Sequence, residues 1–522
     1  MKKGRRILLR RPKITPLILS ILFSVFTLVG FSLEHFGQIL QPGHAPAAPF
    51  LIALLAALFY DIITHIQRLF DKEYRTSEKA RTHSFFLLLL VNYLFYILSF
   101  YPGSVAHDTH SQLRQFLRMQ AVTNANPFAV TVFYGILFKL GDILAAPNLG
   151  IFLGCLAQAV LMAYAFSQVC CFVGRTARSG KAAVCTFFFF FLVPIWGGAA
   201  QTLLKDSLHV SLFVLFFLQF LKMFDSPCSR KDIFTFVFWM ILAAVSRKAS
   251  CYIVLVCGLA LVLYHQKKNR RLLLILTAVF GLCFMLYENV LLPGIGIDKA
   301  PPQENYALQF QQVSLVCVEH GDELSSQDIA VIDSVLDFDK IRELYDPSIA
   351  DPIKLLYHND GSLQDFDRLY LRLMFRYPAT FLKATIQGSW KYFYPLSEGY
   401  EPFRSYISPN TLGIYRLDET AAEPVLKWAA FWSGSPVLKM LMGPGLYTWL
   451  TIAAFAFAIA LKNKKCLLAV IPVMVFTLGM LVTPVNGENR YAYPIMAVVP
   501  ILIALVYATA KLRPQAAPEE NT

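Results

Sequence analysis

The chain has 522 residues, of which 56% are hydrophobic, 14% aromatic and only 16% charged, with a mean hydropathy of +0.51. Soluble domains carry roughly 25% charged residues, so this composition excludes an ordinary soluble enzyme. Apolar runs of about 18 residues or more recur along the chain, and each could cross ~30 Å of hydrocarbon as a helix. The alternating segments of about ten residues that mark a membrane barrel are absent. The sequence therefore predicts an all-α polytopic membrane protein.

The net charge of +13 does not indicate a nucleic-acid partner. Positive residues concentrate in short segments between apolar runs, which is the pattern of a membrane protein because cytoplasmic loops are enriched in Lys and Arg. We therefore expect membrane lipids as partners and no nucleic acid.

The N-terminal part begins with seven basic residues within residues 1–13 and continues into an apolar run over 14–33. This run is longer than the core of a signal peptide, so we expect an uncleaved first helix with a cytoplasmic N-terminus. A second span is predicted over 50–66 and a third over 84–101, on either side of a basic cytoplasmic loop. The chain after the third span would then lie outside.

That outer segment is dense in polar side chains, with His107, Asp108, His110 and Gln112. A carboxylate at the mouth of a membrane segment is costly unless it is solvated, paired or used. We predict that Asp108 acts as a general base for an acceptor, or alternatively that it caps the following helix. Two His and one Asp are also a weak metal pattern. The sequence requires no cofactor, and a divalent metal is left open.

The apolar segment 127–144 is ambiguous because it contains Lys139 and Asp142. If it crossed the membrane, the basic segment 175–181 would lie outside and every later loop would break the charge rule. If it lies along the outer interface, as amphipathic helices do, every later loop obeys the rule. We therefore expect residues 102–148 to form an outer juxtamembrane loop.

The same charge rule orients the remaining spans. They are expected at 149–173, 182–200, 207–222, 233–246, 249–264 and 272–292, and then near 440–461, 466–484 and 491–510. The chain would have about twelve transmembrane helices and both termini in the cytoplasm. The predicted regions are the N-terminal transmembrane region 1–292, the C-terminal transmembrane helices 436–513 and a cytoplasmic tail, 514–522.

Residues 293–435 interrupt the spans with 20 Asp and Glu against 12 Lys and Arg, a net charge of −8. An acidic segment of this length between outward-ending spans is typical of an extracytoplasmic domain, and its apolar spacing predicts helices. Ser325 is expected to cap one of them. The arginines 368, 372 and 376 are expected to share one helical face.

Four connections on the predicted outer side carry candidate site residues, and helices of one bundle could bring them around one pocket. Arg247 and Lys248 break the positive-inside trend, so they are expected either to bind a lipid phosphate or to extend to headgroups. Asp206 is expected either to act in the site or to interact with the dipole at the start of its helix. The predicted substrate-binding residues are His107, His110, Gln112, Lys205, Arg247, Lys248, Glu488, Asn489, Arg490 and Tyr491.

Several short motifs are spread over most of the chain. They are Tyr101-Pro-Gly with Asp108 and Gln112, Asn126-Pro127 with Thr131 and Gly135, Lys205-Asp206-Ser207, Tyr345-Asp-Pro with Asp351-Pro-Ile-Lys354, and Glu488-Asn-Arg-Tyr-Ala-Tyr-Pro494. Together these motifs resemble a bacterial family of polytopic proteins that is in turn similar to the GT-C membrane glycosyltransferases, including the protein mannosyltransferases. Two extra spans precede the Asp108 segment, and Asn126-Pro-Phe stands where that group often has His-Pro-Pro.

The resemblance implies a GT-C-like glycosyltransferase of the bacterial cell membrane, which moves a sugar from a polyprenyl-phosphate donor to an extracytoplasmic acceptor (a glycan, a lipid or an envelope polymer). Asp108 and Asp206 would correspond to its catalytic acidic residues, and Arg247, Lys248 or Arg490 would bind the donor phosphate. The alternatives are a transporter or flippase for a lipid-linked glycan, or a non-catalytic envelope protein. Transporters place ionisable residues near the bilayer midplane within inverted repeats, whereas here they sit at span ends.

Overall fold

A computed structural model describes residues 48–70, 78–226, 228–358 and 360–511, together with five positions between 17 and 25. The predicted basic segment 1–13 and the tail 514–522 lie outside the described residues, as does the first span, 14–33, apart from those five positions.

The described chain is nearly all-α, as predicted, and its strands are two residues long. The first half contains α1 (Ala48–Phe70), α2 (Glu78–Ser99), β1 (Ser104–Val105), α3 (His107–Phe116), α4 (Phe128–Ile143), α5 (Pro147–Thr176), α6 (Gly180–Leu192), α7 (Pro194–Gln201), β2 (Thr202–Leu203), α8 (Lys205–Met223), α9 (Arg230–Ser246), α10 (Ser250–Tyr264), α11 (Lys267–Leu286), a π-helical turn (Tyr287–Leu291) and α12 (Leu292–Gly294).

The second half continues with short helices and then returns to long apolar ones. They are α13 (Ala307–His320), α14 (Ser326–Asp333), α15 (Phe338–Leu344), α16 (Asp351–Lys354), α17 (Leu363–Arg376), α18 (Pro378–Gln387), α19 (Glu423–Gly434), α20 (Gly445–Ala460), α21 (Lys464–Leu478) and α22 (Asn489–Lys511). Single 3-10 turns cover Pro302–Glu304, Gly321–Glu323, Trp390–Tyr392, Thr420–Ala422, Leu438–Leu441 and Gly479–Val482.

Six of the described helices are long and apolar enough to cross a membrane. They are Arg81–Ser99, Pro147–Thr176, Lys205–Met223, Asn269–Gly294, Lys464–Val482 and Asn489–Lys511. Shorter apolar helices cover Ala48–Leu58, Ser250–Tyr264 and Gly445–Ala460. The predicted total of about twelve spans stays a prediction.

The predicted span 182–200 is not one straight helix. It consists of α6 and α7, which are bent by 56° and qualify as a span only as a pair. Val193 between them has an extended backbone (φ −70°, ψ 117°) because the ring of Pro194 disfavours the helical conformation in the residue before it. The apolar run predicted the span, but the proline breaks it.

The chain forms two compact units, Met1–Leu89 and Leu90–Thr522. In the described part of the first unit lie α1 and the beginning of α2. All the predicted site residues belong to the second unit.

The centre of the second unit is α8, because 89% of its most apolar stretch of 18 residues is buried inside the protein. It packs against α5, α9 and α22. In contrast, only 17% of the most apolar stretch of Asn269–Gly294 is buried, so that helix lies at the periphery. The connections between the helices can therefore be located by the end of α8 at which they lie.

The connections predicted to be cytoplasmic meet at the C-terminal end of α8. There Lys222 lies 3.0 Å from Asp232, and Lys465 lies 2.6 Å from Asp225. His265 also contacts this end, with its Nε2 atom 2.9 Å from the carbonyl oxygen of Met223. The connections predicted to be outer meet at the other end, around Lys205. Which end faces the cytoplasm stays a prediction.

α4 lies along the part of α5 that extends beyond α8. The Gln158 amide of α5 donates to the carbonyl of Thr202 at 2.7 Å, which places Gln158 level with the start of α8. Roughly the first three turns of α5 project further. α4 packs antiparallel to them, since Tyr134 Oη lies 2.9 Å from Gln158 Oε1, whereas Phe138, later in α4, lies against Gly150, earlier in α5. α4 is therefore beyond the end of α8 rather than beside it, and its position relative to a membrane stays a prediction.

The acidic segment 293–435 contains a hydrophobic core of its own, built by α13 to α18 around residues such as Phe310, Ile332 and Leu369. Ser325 caps α14 in a capping box with Asp328, which confirms that prediction. The three arginines lie on α17, where Arg368 pairs with Asp365 and Arg372 with Asp328. A dense set of hydrogen bonds joins this domain to the segment before α22. The bonds include Ala350 N to Pro484 O at 2.8 Å and Tyr392 Oη to Val485 O at 3.0 Å.

The close approach of α4 and α5 gives a testable prediction. A Cβ atom added at Gly150 would lie 2.7 Å from Cα of Phe138, so the two helices would have to separate. We expect Gly150→Ala to destabilise the protein by about 1–3 kcal/mol, as overpacking does, and to lower its melting temperature in detergent. The matched control is Gly434→Ala, because a Cβ atom there meets nothing within 4 Å. Equal melting temperatures for both variants would contradict the packing of α4 on α5.

Candidate functional site

A small parallel sheet connects three distant parts of the chain beside the site. β1 and β2 pair with Ser104 opposite Thr202. On the other side of β1, Val105 N donates to Tyr406 O at 3.2 Å and Ser408 N donates to Val105 O at 2.9 Å. This pairing fixes the starts of α3 and α8 relative to a segment of the acidic domain, because α3 and α8 begin within two residues of the strands.

Asp108 lies in the first turn of α3 between two cations. Arg490 Nη1 donates to Asp108 Oδ2 at 2.7 Å, and Lys205 Nζ lies 3.1 Å from the same oxygen. Lys205 also donates to Asn126 Oδ1. The N-cap of α3 is Ala106, so the alternative prediction that Asp108 caps this helix is wrong.

These cations decide the ionisation of Asp108. Burial raises the pKa of a carboxyl group, but Lys205 and Arg490 outweigh it and hold the pKa of Asp108 well below its usual range. Asp108 is still 32% exposed. It is therefore an ionised carboxylate that a substrate can reach.

Asp206 lies deeper in the protein than Asp108 and is only 1% exposed. Arg247 Nη1 lies 3.5 Å from Asp206 Oδ1, and Arg490 Nη1 lies 4.0 Å from Asp206 Oδ2. Lys205, its neighbour in sequence, pairs with Asp108 instead. Arg490 thus bridges the two aspartates that the sequence singles out as catalytic.

Glu488 completes the arrangement from the segment before α22. Its Oε2 atom accepts a hydrogen bond from Arg404 Nη2 at 3.0 Å and lies 3.7 Å from Arg490 Nε. Burial raises the pKa of Glu488, although Arg490 and Arg404 oppose this effect. Arg404 is in turn held by Glu401 at 2.6 Å. We call Asp108, Lys205, Asp206, Arg247, Glu488 and Arg490 the ionic cluster.

The ring of Tyr491 contacts both arginines of the ionic cluster. The guanidinium carbon of Arg247 lies 5.2 Å from the ring centroid, and that of Arg490 lies 5.1 Å from it. Arg247 also donates to the carbonyl of Tyr491 at 3.2 Å. Cation–π contacts of this kind fix the direction of a guanidinium group.

The ionic cluster has hydrogen-bonding capacity that the described residues do not use. Neither oxygen of Asp206, nor Oε1 of Glu488, nor Nε of Arg490 has a hydrogen-bond partner within the described chain, and all these atoms are buried. Buried polar atoms in folded proteins are nearly always bonded, so water or a ligand is expected to bind them.

Lys248 lies beside the ionic cluster in a second group. Its Nζ atom is 3.6 Å from Glu288 Oε2 and donates to the carbonyl of Asn124. The Asn124 amide donates to the same glutamate at 2.6 Å. Burial lowers the pKa of Lys248, although Glu288 opposes this effect. Glu288 sits in the π-helical turn, a distortion that occurs often at functional sites.

Four predicted substrate-binding residues lie apart from the ionic cluster. His107 is exposed, and Gln112 donates to the hydroxyl of Thr131 at 3.0 Å. Burial lowers the pKa of His110, whose Nε2 atom has no hydrogen-bond partner among the described residues. The Asn489 amide donates to two backbone carbonyls, of Glu398 and Met442, which is a structural role. The convergence predicted from topology therefore holds for Asp108, Lys205, Asp206, Arg247, Glu488, Arg490 and Tyr491.

The divalent metal left open by the sequence does not fit the described side chains. In the part of the chain that the structure describes, no group of three or more His, Cys, Asp or Glu side chains could hold a metal ion. The carboxylates of the ionic cluster each face an Arg or a Lys instead.

Sequence reasoning missed Arg404, Glu401 and Glu288. Arg404 and Glu401 lie in an irregular stretch of the acidic domain, where no helical or strand periodicity marks them. Glu288 lies within the apolar run of the predicted span 272–292. A charge inside a predicted span is itself a signal of function, so Glu288 could have been found.

Chemically, the ionic cluster can bind an anion and hold an ionised carboxylate next to it. Three cations lie within contact distance of three carboxylates, and Asp108 and Lys205 are the most accessible pair. A phosphate group would compete with the carboxylates for Lys205 and Arg490, because both cations form strong bonds to phosphate oxygens.

Comparison with known proteins assigns the chain to a family. The model of DUF6020, a family of unknown function, matches residues 118–520. The match includes Lys205, Asp206, Arg247, Glu488 and Arg490 but begins ten residues after Asp108. A search of curated proteins and a search of solved structures each give no match. Because the match covers well over half of its length, the chain belongs to the DUF6020 family.

Proposed function

We propose that the protein is a membrane glycosyltransferase that moves a sugar from a polyprenyl-phosphate donor to an extracytoplasmic acceptor. The observation that carries this proposal is the position of Asp108. It is an accessible, ionised carboxylate held between Lys205 and Arg490, with Arg247 one layer below. This reaction needs a base that deprotonates the acceptor and cations that stabilise the leaving phosphate.

In this proposal the acceptor hydroxyl attacks the anomeric carbon of the sugar, and the bond from that carbon to the phosphate oxygen breaks. Asp108 takes the proton of the hydroxyl. Arg490 and Lys205 stabilise the polyprenyl phosphate as negative charge develops on it, and the ring of Tyr491 holds Arg490 in place. The acidic residue Asp206 keeps Arg247 and Arg490 oriented from beneath.

The same cations make Asp108 a weak base in the free protein, because they keep its pKa low. A donor phosphate that binds Lys205 and Arg490 would neutralise part of their charge. The pKa of Asp108 would then rise, so the carboxylate would become a stronger base when the donor is bound. Donor binding would thus activate the residue that accepts the proton.

The membrane architecture that goes with this function is also a proposal. It has a GT-C-like fold with about twelve spans in the bacterial cell membrane, both termini in the cytoplasm and the ionic cluster at the outer face. The acidic domain would then lie outside and cover the site. The position of the ionic cluster at one end of α8, rather than halfway along it, supports an enzyme over a transporter.

Replacing Asp108 tests whether its carboxylate is the base. Asp108→Asn keeps the size of the side chain but removes the base, so we expect sugar transfer to fall by about 10²- to 10⁴-fold. Transfer is measured in membrane vesicles with polyprenyl-phosphate hexoses and pentoses as donors. The matched control is Asp142→Asn on α4, an accessible carboxylate that pairs with Lys139 away from the cluster. Equal transfer by wild type and Asp108→Asn would exclude the mechanism. Absence of transfer with every donor would favour the transporter or the non-catalytic alternative.

The pH dependence of transfer tests the ionisation of Asp108. Asp108 must be ionised to act as a base, so kcat/KM should fall as pH drops through its pKa. Because Lys205 lowers that pKa, Lys205→Met should raise it and move the acidic limb of the pH profile upward by about 1–3 units. Lys139→Met, which removes a cation outside the cluster, should leave the limb unchanged. An acidic limb that stays in place in Lys205→Met would show that Asp108 is not the titrating base.

A further inference from the structure

The short helix α18 ends beside a candidate transmembrane helix. Gly388, which follows α18, lines one small cavity together with Leu481, which lies at the end of the span Lys464–Val482. Asn486, four residues beyond this span, donates to the carbonyl of Gln387, the last residue of α18, at 2.8 Å. The C-terminal end of α18 therefore lies at the level where this span ends.

The residues that follow α18 stay at the same level. They form the 3-10 turn Trp390–Tyr392 and continue to Phe393, whose carbonyl accepts a hydrogen bond from Trp449 Nε1 at 2.7 Å. Trp449 is the fifth residue of α20, so it lies about 6 Å from the start of this apolar helix. Side chains in a helix lean toward its N-terminus, so the indole reaches back to the first turn. Phe393 therefore lies level with the start of α20.

Apolar and aromatic side chains are exposed at this level. Leu382 and Ile386 are 61% and 54% exposed, and they share one face of α18 because they are four residues apart. Trp390 and Tyr394 follow at the same spacing and are also exposed, and their ring centroids lie 5.8 Å apart. We call these four residues the exposed apolar face. A group of exposed apolar side chains of this kind marks an interaction surface.

The lipid bilayer is the partner that fits the exposed apolar face. Leu478 and Val482 of the neighbouring span are exposed as well, so they would contact the lipid around that span. Trp and Tyr are enriched where a membrane meets water, because each ring has an apolar body and a polar end. Trp449 of α20 is half exposed at the same level. The exposed apolar face thus continues the outer surface of two apolar helices, and this continuity favours lipid over a second protein chain.

We propose that the exposed apolar face is inserted into the lipid leaflet at this end of the spans, so that α18 holds the acidic domain on the membrane surface. Its side chains lie about 5–10 Å within the boundary between headgroups and acyl chains, which is the usual depth of an interfacial helix. Tyr392, between Trp390 and Tyr394, has its Oη atom 3.3 Å from the carbonyl oxygen of Glu488. Insertion therefore keeps the ionic cluster close to the lipid headgroups. The inference does not depend on glycosyl transfer, since contact with lipid is measured without any substrate.

The test places a fluorescent label on the exposed apolar face of the full chain in vesicles of phosphatidylcholine and phosphatidylglycerol. Cys185 and Cys283 are the exposed cysteines, so Cys185→Ala and Cys283→Ala give a background in which only an introduced cysteine reacts. Ile386→Cys and, separately, Leu382→Cys then carry a nitrobenzoxadiazole label. We expect lipids with a doxyl group on the acyl chain to quench both labels, and iodide in the buffer to quench them weakly. The matched control is Asp322→Cys in the same domain, whose native carboxylate side chain is 96% exposed, so that iodide and not the doxyl lipid should quench its label.

A second measurement needs no label. Lipids with brominated acyl chains quench tryptophan side chains that lie near the hydrocarbon. Trp390→Phe should therefore reduce the part of the tryptophan emission that these lipids quench. Trp196→Phe removes a ring that is fully buried in the protein, so it should reduce only the part that the lipids do not quench.

Quenching by the doxyl lipid decides the outcome. The proposal is overturned if this lipid quenches neither label on α18, or if it quenches the label at Asp322→Cys equally well. Strong quenching by iodide would then show that the exposed apolar face lies in water, and protection from both quenchers would show that a protein chain covers it. A Trp390→Phe variant with the same lipid-quenched emission as the wild type would also contradict insertion.

Discussion

The contact between Asp108 and Arg490 holds the site together. It joins residues 382 positions apart and brings the start of α3 against the start of α22, with α8 between them. The ion pairs below it depend on the same arginine, because Arg490 also faces Asp206 and Glu488. A carboxylate as buried as Asp206 is tolerated only beside a cation, and loss of one partner of such a pair costs about 3–5 kcal/mol. The positions of three elements are therefore linked through one guanidinium group.

The long helices were predictable because hydrophobicity and charge are local properties of the sequence. The predicted spans 207–222 and 491–510 correspond to Lys205–Met223 and Asn489–Lys511, and Ser325 caps the helix that it was expected to cap. The proline at 194 could have predicted the break, but the apolar run around it predicted one continuous span. Topology also predicted which connections meet, since consecutive spans alternate between two sides. The pairing inside the site was not predictable. Lys205 lies next to Asp206 in sequence, yet it pairs with Asp108, and Arg404 comes from a stretch without any regular pattern.

Two acidic residues of the site show how environment rather than residue type sets chemistry. Asp108 and Glu488 face the same arginine, but their pKa values move in opposite directions. Asp108 contacts two cations at short distance and remains accessible, so its charged form is favoured. Glu488 is 2% exposed and lies farther from Arg490, so burial dominates. Opposite shifts in neighbouring carboxylates are a recurrent property of sites that transfer protons.

The order of the chain has a consequence for biosynthesis. Asp108, Lys205, Asp206 and Arg247 all lie in the first half of the chain, whereas Arg490 belongs to α22, the last described helix. During synthesis the ribosome therefore delivers two aspartates to the membrane long before their shared arginine. Contacts between such distant parts of a chain form late and cooperatively. Lys205 and Arg247 can pair with the two carboxylates before then. The arginine that bridges them arrives only with α22, so the helices around α8 can pack fully only after nearly the whole described chain has been made.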